Sequence, residues 1–444
     1  MQPPHTRPAP LLTPEANHYP RSVVLVGGSV RAAAADAQRA GYQVIAVDRF
    51  GDRDLIPRCE QWLRYAPDHN WMTKLAELPS IPIVPVGGFS WPMASELTVE
   101  RQRFLSSRLI AYPAPETLKR INAPSLLGEI AEKNGAMFPE TRQLVGGVLE
   151  TVFQPSVTSA MESDRWIVKP EAHAGGVDIR FATDSTQFTQ GQFLQRKVKG
   201  LPIGANFLCL PAGPKKMAVN FLGAFGGLTY RSNPAHPFLY GGSFGPLKLE
   251  EQVTETLQKL GEACANAFQL VGLFNLDLIL GLDKSLVLLE INPRYSASME
   301  LIGLNTGSNQ SRLSLIDWHI TAYQAYQNQD GCDDCLNQKF QDQYAITETA
   351  LFCKRIIYAK HQTTIISELE SICLRVGGPT SDDTASYLCD IPDNEAIVGV
   401  GEPICTVITA RTADLQAVIR RSAQCARMVR RTCGAPFVQI IEGD

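Results

Sequence analysis

Asp277, Glu290, Asn292 and Arg294 are the densest group of potentially reactive side chains in the sequence, within VGLFNLDLILGLDKSLVLLEINPRYSASME at 271–300. Two apolar runs, FNLDLIL and SLVLLEI, flank the turn-rich GLDK, which predicts a β-hairpin. Glu290 and Asn292 are two residues apart and therefore share one strand face. Pro293 ends the strand, leaving Arg294 just beyond it. Two carboxylates and an amide oxygen beside a guanidinium suit Mg²⁺ carrying a polyphosphate. This hard cation takes oxygen ligands and keeps phosphates and waters as the remainder. Solvated strand-end carboxylates are the ordinary alternative. It is disfavoured here because Asp277 and Glu290 interrupt apolar runs, where an unpaired charge is costly.

The hairpin resembles the metal-binding end of the ATP-grasp superfamily, where an acidic residue and a short turn precede E-x-N-P-R. The resemblance implies that Asp277, Glu290 and Asn292 hold one or two Mg²⁺ (or Mn²⁺) ions. It also implies that Arg294 contacts the transferred phosphoryl group or a carboxylate. Upstream, Trp166-Ile-Val-Lys169-Pro170 is followed by EAHAGGVDIR. A lysine at a strand end and a glycine pair offer phosphates a point charge and backbone N–H groups. A glycine pair alone would read as a simple hairpin turn, but its order ahead of E-x-N-P-R favours the nucleotide reading. By resemblance, Lys169 is the nucleotide-binding and catalytic lysine, and Gly175 and Gly176 lie in a flap at 173–177. His173 in that flap either touches phosphate or is solvated. FLQRKVKG at 193–200 is similar to the hinge strand, implying that Gln195, Arg196, Lys197 and Val198 border the adenine through their backbone. The side chains of Arg196, Lys197 and Lys199 read as a solvated basic face. FLYGGS at 238–243 is a turn-forming loop, possible substrate contact included.

One position departs from the family pattern. Relatives place an ATP-binding lysine ahead of a G-x-x-x-P-x-T turn, which stands here at Gly135–Thr141. Counting back puts Pro124 at the lysine's place, while Lys119 and Arg120 are out of register. Proline suits a first helical turn, so Pro124 predicts a helix start.

The elements that must position these residues are alternating strands and helices. SVVLVGG after Arg21, an alanine-rich helix over 29–41 and YQVIAVD form a Rossmann-like start. GGSVRA lacks the full dinucleotide fingerprint, so NAD is not expected. Ser29, Arg31 and Asp48 are candidate substrate contacts, and VPVGGF at 84–89 is a later strand and glycine loop of this unit. The expected fold class is α/β: a Rossmann-like N-terminal domain (21–111), an ATP-grasp fold of two α+β subdomains (112–323) and a small C-terminal α/β module (344–444). A proline-rich tail (1–20) and a polar, glutamine-rich linker (324–343) complete it. In the last module ETALFCKRIIYAKH and PICTVITA read as strands, and 412–432 reads as a helix. Lys354 and Arg355 either reach the site from it or guard a strand edge.

Composition narrows the class. A net charge of −4 gives no electrostatic reason to expect nucleic acid. No apolar run is long enough to cross a bilayer, and the N-terminus lacks a signal-peptide core. The eleven cysteines sit mostly in apolar or helical segments, as reduced thiols of a cytoplasmic protein would. Cys332 and Cys335 form a lone C-x-x-C without a second ligand pair, so zinc is not expected.

The nearest resemblance is to the predicted carboligase branch of the superfamily. It implies ATP and Mg²⁺ as cofactors, a small-molecule carboxylate and an amine as substrates, and a homodimer. The expected reaction is carboxylate activation as an acyl phosphate followed by amide formation. Some relatives are associated with methanopterin-type one-carbon cofactor biosynthesis. Glu300 is a candidate for orienting substrate or simply an acid favoured in a helix's first turn. The alternatives are a carboxylase that activates bicarbonate as carboxyphosphate, and a nucleotide-binding protein without turnover.

Overall fold

The computed structural model describes residues 21–433 apart from 67, 69, 77, 79, 92–97, 157–161, 172–174, 184–185, 214–215, 231–235, 307–312, 329–333, 345–349, 366–384 and 412–413. Near-continuous apolar runs at the N-terminus form parallel strands, as sheets covered on both faces require. β1 (Ser22–Val26) is buried throughout and pairs in parallel with β2 (Gln43–Asp48) and β4 (Ile83–Pro85). With β3 (Gln61–Arg64) the order is β3-β2-β1-β4. Helix α1 (Arg31–Arg39) follows Gly27 and Gly28 and buries Ala33, Ala34 and Ala37. The expected Rossmann-like unit is present. The second helix, α2 (Asn70–Leu75), buries Trp71 and Met72, and α3 (Val99–Ser106) buries Phe104.

After α4 (Pro115–Ile121) and α5 (Pro124–Lys133), a five-stranded antiparallel sheet begins. It comprises β5 (Thr141–Val145), β6 (Val148–Phe153), β7 (Glu162–Pro170), β8 (Arg180–Phe181) and β9 (Gln192–Val198), ordered β6-β5-β9-β7-β8.

An eight-stranded antiparallel sheet carries the rest. Its first strands are β10 (Leu201–Pro211), β11 (Met217–Thr229), β12 (Tyr240–Gly245), β13 (Gly272–Leu280) and β14 (Leu286–Asn292). β15 (Leu351–Tyr358), β17 (Ala385–Cys389) and β19 (Pro403–Arg411) continue it in the order β14-β13-β10-β11-β12-β15-β19-β17. The expected small C-terminal α/β module is present, and its strands β15, β19 and β17 extend this same sheet. A two-stranded ribbon of β16 (Thr363–Thr364) and β18 (Ile397–Val398) flanks it.

Strand periodicity gives the large sheet two different faces. Ile203, Ala205, Phe207 and Cys209 of β10 pack in one core with residues of α5 and of α6 (Glu251–Phe268). The alternate residues Leu208 and Leu210 share a core with Val23, Val84 and Tyr295, toward the Rossmann-like unit. Gly204 and Asn206 belong to this second face.

The linker expected at 324–343 is largely helical. Gln324–Gln327 completes α8 (Leu315–Gln327), and α9 (Asp334–Gln343) occupies most of the remainder. Of its two large apolar residues, Phe340 is buried and meets Trp318 edge-on at 5.2 Å, and Leu336 packs half-buried against the same core. Glutamine and lysine are good helix formers, so polarity alone misread this segment. Between β14 and α8 lies α7 (Met299–Thr306), and α10 (Leu415–Cys433) packs beneath β15 and β19. No helix among the described residues is long and apolar enough to cross a membrane.

Candidate active site

Two rows of side chains cross three strands of the large sheet. Gly204, Asp277 and Glu290 lie opposite one another, and so do Asn206, Asn275 and Asn292. Directly opposed residues project to the same face. A bulge after Asp277 in the β13–β14 pairing brings Asp277 against Glu290, as bulges re-aim side chains. Gly204 keeps the row open: a Cβ there would meet Asn275 Nδ2 at 2.9 Å.

Burial, then the Glu290 carboxylate beside it, pushes the Asp277 carboxyl well above the usual range. Asn292 Nδ2 donates to Asp277 Oδ2 at 2.9 Å, and its Oδ1 accepts from Arg294 Nη2 at 2.8 Å. Two half-buried carboxylates forced into contact fit a divalent cation, which would release the shared proton. A half-turn of the Asn292 amide would present its oxygen to that cation. Among the described residues no three His, Cys, Asp or Glu side chains converge as metal ligands. The pair therefore suits Mg²⁺, whose remaining ligands are phosphate oxygens and water.

Lys169, at the end of β7, bridges to this row. Its Nζ lies 2.5 Å from Glu290 Oε2 and 3.4 Å from the Leu289 carbonyl oxygen. Arg294 stands beside the Rossmann-like unit, where a Cβ on Gly87 would lie 3.5 Å from its Nη1. Asp277, Glu290, Asn292, Arg294 and Lys169 are thus brought together across 125 positions of chain.

Gly175 and Gly176 adopt φ of 63° and 72°, a region that disfavours side chains. The Gly175 carbonyl accepts from the Tyr240 N–H at 2.8 Å. A Cβ on Gly176 would sit 2.1 Å from the Phe238 carbonyl oxygen. The FLYGGS segment is therefore the seat of the flap, although it is not the expected loop: from Tyr240 on it is strand β12. His173 lies outside the described residues.

The hinge strand divides by face. Gln195 lies opposite Ile167, and Phe193 opposite Lys169, so Gln195 shares the lysine's face. Gln195 is buried and donates to Thr141 Oγ1 at 3.1 Å. Arg196 lies opposite Trp166, on the other face, with its guanidinium 4.1 Å from the Trp166 ring centroid and 3.2 Å from Glu140 Oε2. Its side chain is turned away from Lys169 and is half-buried against Trp166 and Glu140 rather than solvated as expected. Lys197 Nζ lies 3.3 Å from the Val198 carbonyl oxygen.

Pro124 opens α5, as predicted. Arg120 instead reaches the Ala267 carbonyl at 2.8 Å, and Lys119 is exposed. Neither replaces the family lysine at that position.

Of the suggested substrate contacts in the Rossmann-like unit, Asp48 is occupied by the N–H groups of Val30, Phe50 and Gly51. Ser29 is exposed. Arg31 is buried and paired with Glu300 and Asp390. Sequence reading missed Asn206, Asn275, Ser296 and Ser298, whose polar groups line the same face. Asn206 in the apolar GANFLCL carried the signal that had revealed Asp277. Asn206 Oδ1 accepts from Ser296 Oγ at 2.9 Å and Ser298 Oγ at 3.0 Å. Cys335 is exposed on α9, while Cys332 lies outside the described residues.

Residues 147–298 match the ATP-grasp domain, so the chain carries an ATP-grasp domain between its Rossmann-like and C-terminal parts. No curated protein sequence matches the chain. Solved structures share the fold at low identity. A carboxyaminoimidazole ribonucleotide synthase from Aspergillus clavatus, complexed with ATP, is 14% identical with a TM-score of 0.60, covering 93% of this chain and 98% of its own. The biotin carboxylase domain of Hydrogenobacter thermophilus 2-oxoglutarate carboxylase, a dimer with MgADP, ADP and bicarbonate, is 13% identical with a TM-score of 0.58, covering 91% and 89%. An L-amino acid ligase from Bacillus licheniformis is also 13% identical with a TM-score of 0.58, covering 93% and 97%.

Proposed function

We propose that this chain is an ATP-dependent enzyme that phosphorylates a carboxylate, bicarbonate foremost, and passes the activated carboxyl group to an acceptor. The observation that carries this reading is the Lys169–Glu290 contact beside Asp277 and Arg294. It sets a phosphate-seeking cation against a metal-type carboxylate pair. Bicarbonate is favoured over a larger acid because several of the similar folds are carboxylases, one of them holding MgADP and bicarbonate. This revises the order of the two reactions expected from sequence. None of the three structures described above is a coenzyme-building amine ligase, so assembly of a one-carbon cofactor rests on resemblance alone.

In the proposed reaction a bicarbonate oxygen attacks the γ-phosphorus of ATP. The bond to the β-phosphate oxygen breaks, giving ADP and carboxyphosphate. An acceptor nucleophile then attacks the carboxyl carbon and expels phosphate. Bound at Asp277, Glu290 and Asn292, Mg²⁺ would offset charge on the phosphate oxygens. Lys169 holds the phosphates, and the Gly175–Gly176 backbone covers them. Arg294 steadies the anionic carboxyl group between the two sheets. Gln195 to Val198 border the adenine through the backbone. A homodimer, the form of the carboxylase domain above, belongs to the same proposal.

Amide formation is the second reading, favoured by the equal likeness of the L-amino acid ligase. ADP release that requires bicarbonate supports the first reading. Release that requires an organic acid together with an amine supports the second.

A further inference from the structure

Five buried or half-buried charges, Arg31, Asp54, Glu300, Lys354 and Asp390, from three parts of the chain meet on the active-site face. Arg31 of α1 donates from Nε to Asp390 Oδ1 at 2.9 Å and from Nη2 to Oδ2 at 3.3 Å. Its Nη1 contacts Glu300 Oε1. Lys354 of β15 donates to the other Glu300 oxygen at 2.6 Å. Glu300 thus has each carboxylate oxygen held by a cation from a different part of the fold. Burial alone would push its carboxyl up, but Arg31 and Lys354 outweigh that and hold it below the ordinary value.

The position of this clamp in the chain gives it a consequence. Glu300 is in the first turn of α7, six residues after Arg294. Between them, Ser296 and Ser298 donate to Asn206 Oδ1, and Tyr295 bridges to Val86. Ser298 Oγ and Asp277 Oδ1 lie 3.8 and 3.7 Å from where a Gly204 Cβ would be. The segment therefore crosses the site, with Arg294–Asn292 at one end and Glu300 at the other.

We infer that Glu300 is a positioning residue, fixed by Arg31 and Lys354 so that Arg294, Ser296 and Ser298 face the carboxyl group undergoing transfer. This deepens the proposed function and rests on it for its catalytic meaning. The clamp makes the site depend on both flanking parts of the chain. The Rossmann-like unit supplies Arg31 and the C-terminal extension supplies Lys354. A buried charge-paired device is costly, and removing one partner strands the others. Its retention beside the reacting groups is explained by geometry more readily than by stability.

The test uses the full chain with three variants. Glu300→Gln is expected to lower kcat about tenfold or more, with the MgATP dissociation constant changed less than about threefold. Because Glu300→Gln strips Lys354 of its carboxylate partner while Arg31 keeps Asp390, Glu300→Gln/Lys354→Met removes one charge of each sign. It is expected to recover melting temperature but not kcat. Lys354→Arg, which keeps the charge, should retain turnover within about threefold. Recovery of kcat together with melting temperature in the double variant would overturn the inference, leaving a purely structural clamp. Amide hydrogen exchange gives a readout independent of turnover. Exchange in 294–298 should rise in Glu300→Gln while β7 and β9 stay unchanged, and unchanged exchange would also overturn it. Wild-type protein that binds MgATP yet turns over with no acid would count against the proposed function, while the exchange result would still decide the clamp.

Discussion

Lys169 Nζ and Glu290 Oε2 are 2.5 Å apart, joining the five-stranded and eight-stranded sheets through one ion pair. Lys169 is only 10% exposed at its side chain and Glu290 25%, so the pair is partly shielded from solvent. The same two groups are the ones expected to separate around a metal-bound triphosphate. The contact therefore marks where phosphate would enter between the sheets.

Lys169→Ala removes the cation from that entry. A charge-assisted contact to phosphate is worth about 1.5–3 kcal/mol, so MgATP affinity should fall about 10- to 100-fold. Titration calorimetry checks this, and wild-type affinity would show that Lys169 was misassigned.

Asp277 and Glu290 should make Mg²⁺ binding pH-dependent. Burial and the Glu290 charge raise the Asp277 carboxyl, so the pair retains a proton that a cation must displace. Mg²⁺ affinity should therefore rise with pH across the neutral range. Asp277→Asn should abolish that slope, measured as Mg²⁺-dependent change in melting temperature from pH 6 to 9, a range of about three units chosen to span neutrality.

Gly204→Ala places a methyl group in the metal row, 2.9 Å from Asn275 Nδ2. Adjustment of that amide moves the neighbour of Asp277 and Asn292. Turnover should fall about tenfold or more while the melting temperature changes little, because the displaced group is polar and at the site rather than in the apolar core. Unchanged turnover would show that the row has slack.

His319 ties the sheet to the segment after β4. Its Nδ1 accepts from the Leu273 N–H at 2.8 Å, and Nε2 donates to the Ala111 carbonyl at 2.9 Å. Burial lowers the imidazole from 6.5 to about 4. The unfolded chain takes up the proton first, so stability is full above the unfolded value and is lost as pH falls toward 4. The loss is about 3 kcal/mol, and His319→Gln should remove it from the urea midpoints measured across that window.

The hairpin, the Lys-Pro strand end and the Rossmann-like start were legible because charges interrupt otherwise apolar runs or glycines follow them. Asp277, Glu290, Asn292, Arg294 and Lys169 converge in space, with Lys169 arriving from a different sheet. Asp390 was not legible, because its partner Arg31 is 359 positions away and no local pattern joins them. The Arg196 side chain was read as solvated, yet strand alternation sets it against Trp166 and Glu140. The helix at 334–343 was hidden by its polar composition, since only Leu336 and Phe340, four residues apart, tie it to the core.

The central claim is tested most directly by phosphate release from MgATP, measured with bicarbonate, organic acids and amines, in wild type and Glu290→Ala. The account predicts acid-dependent release by wild type, bicarbonate giving the largest stimulation, and none by a folded Glu290→Ala. Equal release by that variant would contradict the assignment of the metal and phosphate site.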